Sequence, residues 1–391
     1  MIHLTSAALF FLAAGILTSV SILSVFQILF GIALTYYTYL AIKNKKTKLP
    51  KSAYWLIAFT TVAFISLILN FDLIPKPSKN FGRLKYFLFG FAGIYVMQPW
   101  LKLASDRSKK IISTTFLVSI IVTGLVSIYQ VYIKGDYRAD GLTNIMRYGY
   151  GSAMLLLTVL SALFHKQKIK NWFDARIGLV AFIIGFAGLY LTLARGGLLA
   201  FLCGLPFVIY FYRAKLGLIF GGVCLIGITG LMAFYLLGKG GYESRFLSTK
   251  NNNSDVMRRS QWQAALIAIQ EKPVLGWGLS NFHTQVKRIK ETNNLESKTY
   301  NDAHAHNVFL EIAAGTGLIG LFLFLGWLLT WAWEMLKGPK LIGALVIPFG
   351  VAFVVGGQFE VTLDANNSSM IFALYAFSLA WKPMGDKTYD V

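Results

Sequence analysis

The chain has 391 residues, of which 56% are apolar and only 14% charged, whereas a soluble protein of this length carries about a quarter charged residues. The apolar residues come in blocks long enough to cross a bilayer as helices, which excludes a soluble domain and predicts an all-α polytopic membrane protein. The net charge of +20 does not point to nucleic acid. The basic residues fall in the breaks between apolar blocks, where they set orientation and meet lipid headgroups.

The first block, residues 4–42, is twice the length of one span and predicts a hairpin. It lacks a basic start, so it does not read as a cleaved signal. Further spans are expected over 53–69, 84–101, 111–133, 148–164, 177–194, 198–212 and 216–237, and then over 308–333, 341–355 and 369–381. The total is about twelve. The expected division is transmembrane helices one to nine over 1–237, a helical loop over 238–304, and helices ten to twelve with a tail over 305–391.

Twelve spans put both termini on one side. The short loops around Lys43, Lys102, Lys166, Arg213 and Lys337, with the tail after Lys382, hold the excess of Lys and Arg and are therefore expected in the cytoplasm. The opposite set contains 71–83, 134–147, the tight turn at Arg195, the long loop and 358–367. In the long loop, Asn253-Ser-Asp255 supplies capping residues before a helix expected over 256–270. Pro273 and Gly276-Trp-Gly278 then break the pattern, before a second short helix over 279–290. Cys203 and Cys224 lie inside apolar blocks and read as small core residues.

Several residues could carry chemistry. His306 stands where the long polar loop meets the next apolar stretch, and an imidazole there can take a proton from a hydroxyl near neutral pH. Arg195, between apolar blocks and followed by Gly196 and Gly197, is either a headgroup anchor or a phosphate ligand. Arg258 and Arg259 open the loop helix, where a basic residue gains nothing from the helix dipole; they are either a solvated helix face or the ligands of an anionic partner nearby. Trp262, one turn on, is a packing residue, an interface anchor or a sugar platform. Gly276 to Phe282 lacks the strand and the Lys-Thr or Lys-Ser of a nucleotide loop and reads as a structural turn. Asp302, His304 and His306 are poorly spaced for a metal site, and no Asp-x-Asp pair is present, so no metal or other cofactor is expected. His3, His165 and His283 have no constellation around them.

Three segments together resemble the O-antigen ligase and O-antigen polymerase superfamily of bacterial envelope glycosyltransferases. They are His304-Ala-His-Asn-Val-Phe-Leu-Glu311 with Gly315-Thr-Gly-Leu-Ile-Gly320, then Leu193-Ala-Arg-Gly-Gly197, and Arg258 with Trp262 followed by the turn from Pro273 to Phe282. Arg138-Ala-Asp-Gly-Leu-Thr-Asn-Ile-Met-Arg-Tyr-Gly149 is similar to a pattern of the ligases, without the proline expected near Met146.

The resemblance implies a fold of the GT-C type, metal-independent, in the bacterial inner membrane with its site facing the periplasm. It implies a donor glycan on undecaprenyl diphosphate and a sugar hydroxyl of lipid A–core as acceptor. His306 takes the place of the catalytic base, and Arg195 and Arg258 those of the diphosphate ligands, with Arg259 the alternative if the helix register differs by one. His304, Asn307, Arg138 and Trp262 would support them. Tyr242, Trp262, Trp277 and Tyr300 are candidates for stacking on sugars. Close alternatives are a repeat-unit polymerase and a protein O-oligosaccharyltransferase. A transporter or flippase is the alternative from another class; it would place its ionisable residues near mid-membrane in paired halves, a pattern the sequence lacks.

Overall fold

The computed structural model describes residues 1–44, 48–212, 253–295, 304–363 and 365–385. Among these residues every regular element is a helix. The expected hairpin is α1 (Ile2–Gly15) and α2 (Val20–Lys43), turned at Ser19, whose hydroxyl accepts the backbone N–H groups of Ser21 and Ile22. Then come α3 (Lys51–Leu69), the short α4 (Pro77–Phe81), α5 (Leu84–Phe91) and α6 (Gly93–Leu103). Next are α7 (Asp106–Tyr132), α8 (Ile145–Phe164), α9 (Ala175–Leu191) and α10 (Arg195–Tyr212). Ser105, Asn144 and Asp174 cap α7, α8 and α9 with their side chains. Each cap satisfies N–H groups that the first turn of a helix leaves without an intrahelical partner. After the long loop's α11 (Asn253–Glu271) and α12 (Phe282–Thr292) come α13 (Val308–Lys337), α14 (Lys340–Gly356) and α15 (Ala365–Gly385).

Among the described residues five helices, α2, α3, α7, α10 and α13, are long and apolar enough to cross a membrane, and α1, α9 and α14 are shorter apolar helices. The span expected over 216–237 lies outside the described residues, as do Cys224, Tyr242, Tyr300 and Asp302. Cys203 is a half-buried free thiol on α10. Large apolar side chains such as Ile28, Phe322 and Leu329 are exposed on the longest apolar helices, as lipid contact would require. The centre is aromatic: Trp327 stacks on Trp331 and Phe372, with Tyr375 edge-on to it. Buried Glu334 on α13 accepts the Ser52 hydroxyl at 2.6 Å and the Ser52 N–H at 3.3 Å, and so caps the start of α3 from outside.

Two expected spans are not continuous. The span over 84–101 divides at Ala92 into α5 and α6, where Gly90 and Gly93 let Phe372 and Ala376 of α15 close in. The helix expected over 308–333 breaks at Gly317, whose φ of 71° and ψ of −177° leave the helical region. The Pro273–Gly278 turn fills that break. Leu318 N–H donates to the Pro273 carbonyl at 2.7 Å, Trp277 N–H to Ala314 at 2.9 Å and Gly278 N–H to Gly315 at 2.8 Å. From α3, the Ser66 hydroxyl donates to the Leu275 and Gly315 carbonyls, and the Asn70 amide to Gly276. A Cβ on Gly317 would strike the Val274 carbonyl, and one on Gly276 the backbone of Ala314 and Gly315. The turn thus has the structural role read from its sequence, and it bolts the loop helices to α13. Above it, Ala264, Ala265, Ala268, Trp277, Phe282, Val286 and Ile289 form a small core against Ala305 and Ala314.

The loops that the charge pattern put on one side do gather at one end of the bundle. Asn80 reaches the Leu279 carbonyl, Arg83 the Leu363 carbonyl, Lys272 the Asn70 side chain, and Ala139 N–H the Leu191 carbonyl.

Candidate active site

Arg195 opens α10 directly after a turn in which Leu193 adopts a left-handed φ of 53°. The turn is held by Thr192, whose hydroxyl accepts the Ala194 N–H. Gly196 and Gly197 bring this end of α10 hard against α8: a Cβ on Gly196 would strike the Tyr150 hydroxyl, and one on Gly197 would lie 3.0 Å from the Gly149 carbonyl. The close approach seats Arg195 beside α11. Arg195, Gly196, Leu199, Arg258, Arg259, Trp262 and Phe359 line one cavity of about 470 Å³. Three guanidinium-bearing residues on one concave wall suit an anion with several oxygens. The buried indole N–H of Trp262 has no hydrogen-bond partner among the described residues, a spare donor beside the same cavity.

His306 is set by a different group of contacts. Asn307 caps α13, its side-chain oxygen accepting the Phe309 and Leu310 N–H groups at 2.9 and 3.1 Å. Its amide donates to Gln358, and Val308 N–H donates to the Gly357 carbonyl at 2.7 Å. The segment between α14 and α15 is thereby laid along residues 306–308. His306 itself takes a left-handed φ of 48°. Its Nδ1 lies 3.2 and 3.1 Å from the two carboxylate oxygens of Glu360. Phe359 lines the arginine cavity, so His306 and the cavity meet across two consecutive residues.

Glu360 is the functional candidate that the motif reading missed. Its signal was an acid, one of two with Asp364 between two apolar blocks, on a short loop placed on the same side as the motif, in a chain with only 17 acidic residues. Burial pushes its carboxyl up, but the His306 hydrogen bond and charge, the Val361 N–H and the Arg258 guanidinium outweigh burial and hold it below the usual carboxylate range.

His304 turns elsewhere. Its Nδ1 faces Glu311 at 3.4 Å, while the second Glu311 oxygen accepts the Ala305 N–H at 3.0 Å. The Glu311 hydrogen bond and charge raise the His304 imidazole above its usual range against the opposing effect of burial. His283, which had no constellation in the sequence, has its ring 5.5 Å from that of His304, and burial together with His304 pushes it below its usual range. The two histidines of the motif thus serve two separate carboxylates, and among the described residues no three metal-binding side chains converge. Arg138 is half-buried on the loop before α8 and is not among the residues lining the arginine cavity. Trp277 packs in the small core under Lys272 and Arg288.

Comparison with known proteins places most of this site in one stretch. A family model described as O-antigen ligase matches residues 180–325. That stretch runs from α9 through Arg195, Arg258, Arg259 and Trp262 to His306 and the break at Gly317. A Haemophilus influenzae protein described as uncharacterized is 26% identical over 371 residues, which are 88% of this chain and 89% of that one.

Proposed function

We propose that this chain, whose residues 180–325 match a family model described as O-antigen ligase, transfers a glycan from undecaprenyl diphosphate to a sugar hydroxyl of lipid A–core at the face of the bacterial inner membrane. The observation that carries this reading is the cavity lined by Arg195, Arg258 and Arg259, set one residue away from the partner of His306. The helical membrane-type architecture agrees with it. In this reading about twelve spans form a fold of the GT-C type, with both termini in the cytoplasm and the site facing the periplasm.

In the reaction, the acceptor O–H attacks the anomeric carbon from the face opposite the diphosphate. The new C–O bond forms as the bond from that carbon to the phosphate oxygen breaks, and the electron pair leaves on the diphosphate. His306 takes the acceptor proton. The arginines stabilise the leaving diphosphate more as its charge grows than before, which is what lowers the barrier. Back-side attack inverts the anomeric centre. Products are the glycosylated acceptor and undecaprenyl diphosphate.

The test is transfer by the purified protein from a lipid-linked glycan, with lipid A–core or a second lipid-linked repeat offered as acceptor. Transfer to lipid A–core, undiminished by EDTA, is expected. Transfer only to the second repeat would make the protein a repeat-unit polymerase. EDTA inhibition reversed by one divalent ion would overturn the arginine-based mechanism.

A further inference from the structure

The contact between His306 and Glu360 has a chemical consequence beyond the assignment of a base, and it rests on the transfer reading above. Both oxygens of Glu360 lie within 3.2 Å of the same ring nitrogen, Nδ1. The Glu360 side chain is 13% exposed and that of His306 20%, so water competes weakly for either. The carboxylate is itself fixed, since its Oε1 accepts the Val361 N–H at 3.0 Å. The loop that carries it is tied to α13 through Val308 with Gly357 and Asn307 with Gln358. An ionised carboxylate only accepts hydrogen bonds, so Nδ1 must carry the proton. A neutral ring has one N–H, and Nε2 is then left with a free lone pair.

We propose that Glu360 is a positioning residue for transfer. Its carboxylate holds the His306 ring in the tautomer whose Nε2 can accept the acceptor's proton, and it offsets the positive charge the ring gains on doing so. Among the described residues, the other charged or titratable groups facing this pair are Arg258, which acts on Glu360, and Tyr150 and His304, which both feel the Glu360 charge. Arg258, the other cation acting on Glu360, pairs with the donor diphosphate in this reading, which leaves the Glu360 charge to the ring.

The test uses the full chain in detergent or nanodiscs, with ring nitrogens of histidine labelled by 15N and the His306 signals assigned by their loss in His306→Gln. In the wild type the neutral ring should carry its proton on Nδ1. In Glu360→Ala it should move toward Nε2–H, the tautomer a free imidazole favours, while the His304 signals, set mainly by Glu311, should change far less. Glu360→Asp should keep Nδ1–H. In the transfer assay Glu360→Ala should lower kcat about tenfold or more while KM for the lipid-linked donor stays within about twofold, and Glu360→Asp should recover part of the loss. If the alanine chain fails to fold, Glu360→Met, apolar and similar in length, carries the same expectation. An Nδ1–H tautomer retained in Glu360→Ala, or a kcat equal to the wild type, would overturn the role of Glu360 while leaving the transfer reading intact. If the wild type transfers nothing to any acceptor, the transfer reading fails, and the tautomer measurement alone decides whether Glu360 sets the ring.

Discussion

Arg195 and Arg258 approach one cavity from separate helices, and each has a distinct expected loss. Arg195→Ala and Arg258→Ala should each lower transfer about 100- to 1,000-fold, the usual effect of removing a preorganised donor from a site of developing charge. Arg195→Lys should recover little, since a point charge cannot make two parallel hydrogen bonds to a phosphate. Arg259 lines the same wall, so comparing the single variants decides which neighbour binds the donor. Wild-type turnover in Arg195→Ala would return that residue to the role of headgroup anchor. His304 predicts a pH effect of its own. Its ordinary value is 6.5 and Glu311 raises it. The pair therefore stabilises the loop fully below the ordinary value and loses that contribution as pH rises through the raised one. Melting curves of the wild type and His304→Gln should differ at acid pH and converge at alkaline pH. A constant difference would mean that the His304–Glu311 contact acts through packing alone.

At the scale of elements, the break in α13 is the joint between the two halves of the site. The helix carries His306 at its start, and the turn filling the break leads back along α11 to Arg258. Gly317→Ala places a Cβ against the Val274 carbonyl at a φ of 71°. It should cost about 1–3 kcal/mol from overpacking and strain, read as a lower melting temperature, with transfer falling because the arginine and histidine walls separate. A variant with wild-type melting would mean that the turn does not bolt the elements together. This joint also marks where the sequence stopped being legible. The apolar pattern runs through Gly317 without interruption, and only the docked turn, which supplies the missing hydrogen bonds, makes the break affordable. The caps at Asn307, Asn144 and Ser19 are local, each bonding N–H groups two or three residues on, but the apolar blocks and not these caps marked the spans in the sequence. Arg195, Arg258 and His306 stood out because short motifs surround them. Glu360 did not, because it meets His306 across 54 residues of chain, and no local spacing encodes that pairing.

At the scale of the whole molecule, the candidate residues collect at one end of a helical bundle, and the short basic loops were placed at the other by charge. Reporter fusions after Lys109, Lys168 and Lys340 should report cytoplasm, and fusions within residues 238–302 should report periplasm. A long loop in the cytoplasm would separate the site from a periplasmic donor and end the account. The division into 1–237, 238–304 and 305–391 stands as part of the same proposal. The most direct test of the central claim, that His306 is the base for glycan transfer from a lipid diphosphate bound by arginines, is a paired measurement on His306→Ala. Its rate of transfer to lipid A–core should fall about 100- to 10,000-fold, while its affinity for the lipid-linked donor stays that of the wild type, because the arginines still hold the diphosphate. His304→Ala in the same assay should be far milder. Full transfer by His306→Ala would contradict the claim, and full transfer with a dead His304→Ala would move the base to the other histidine.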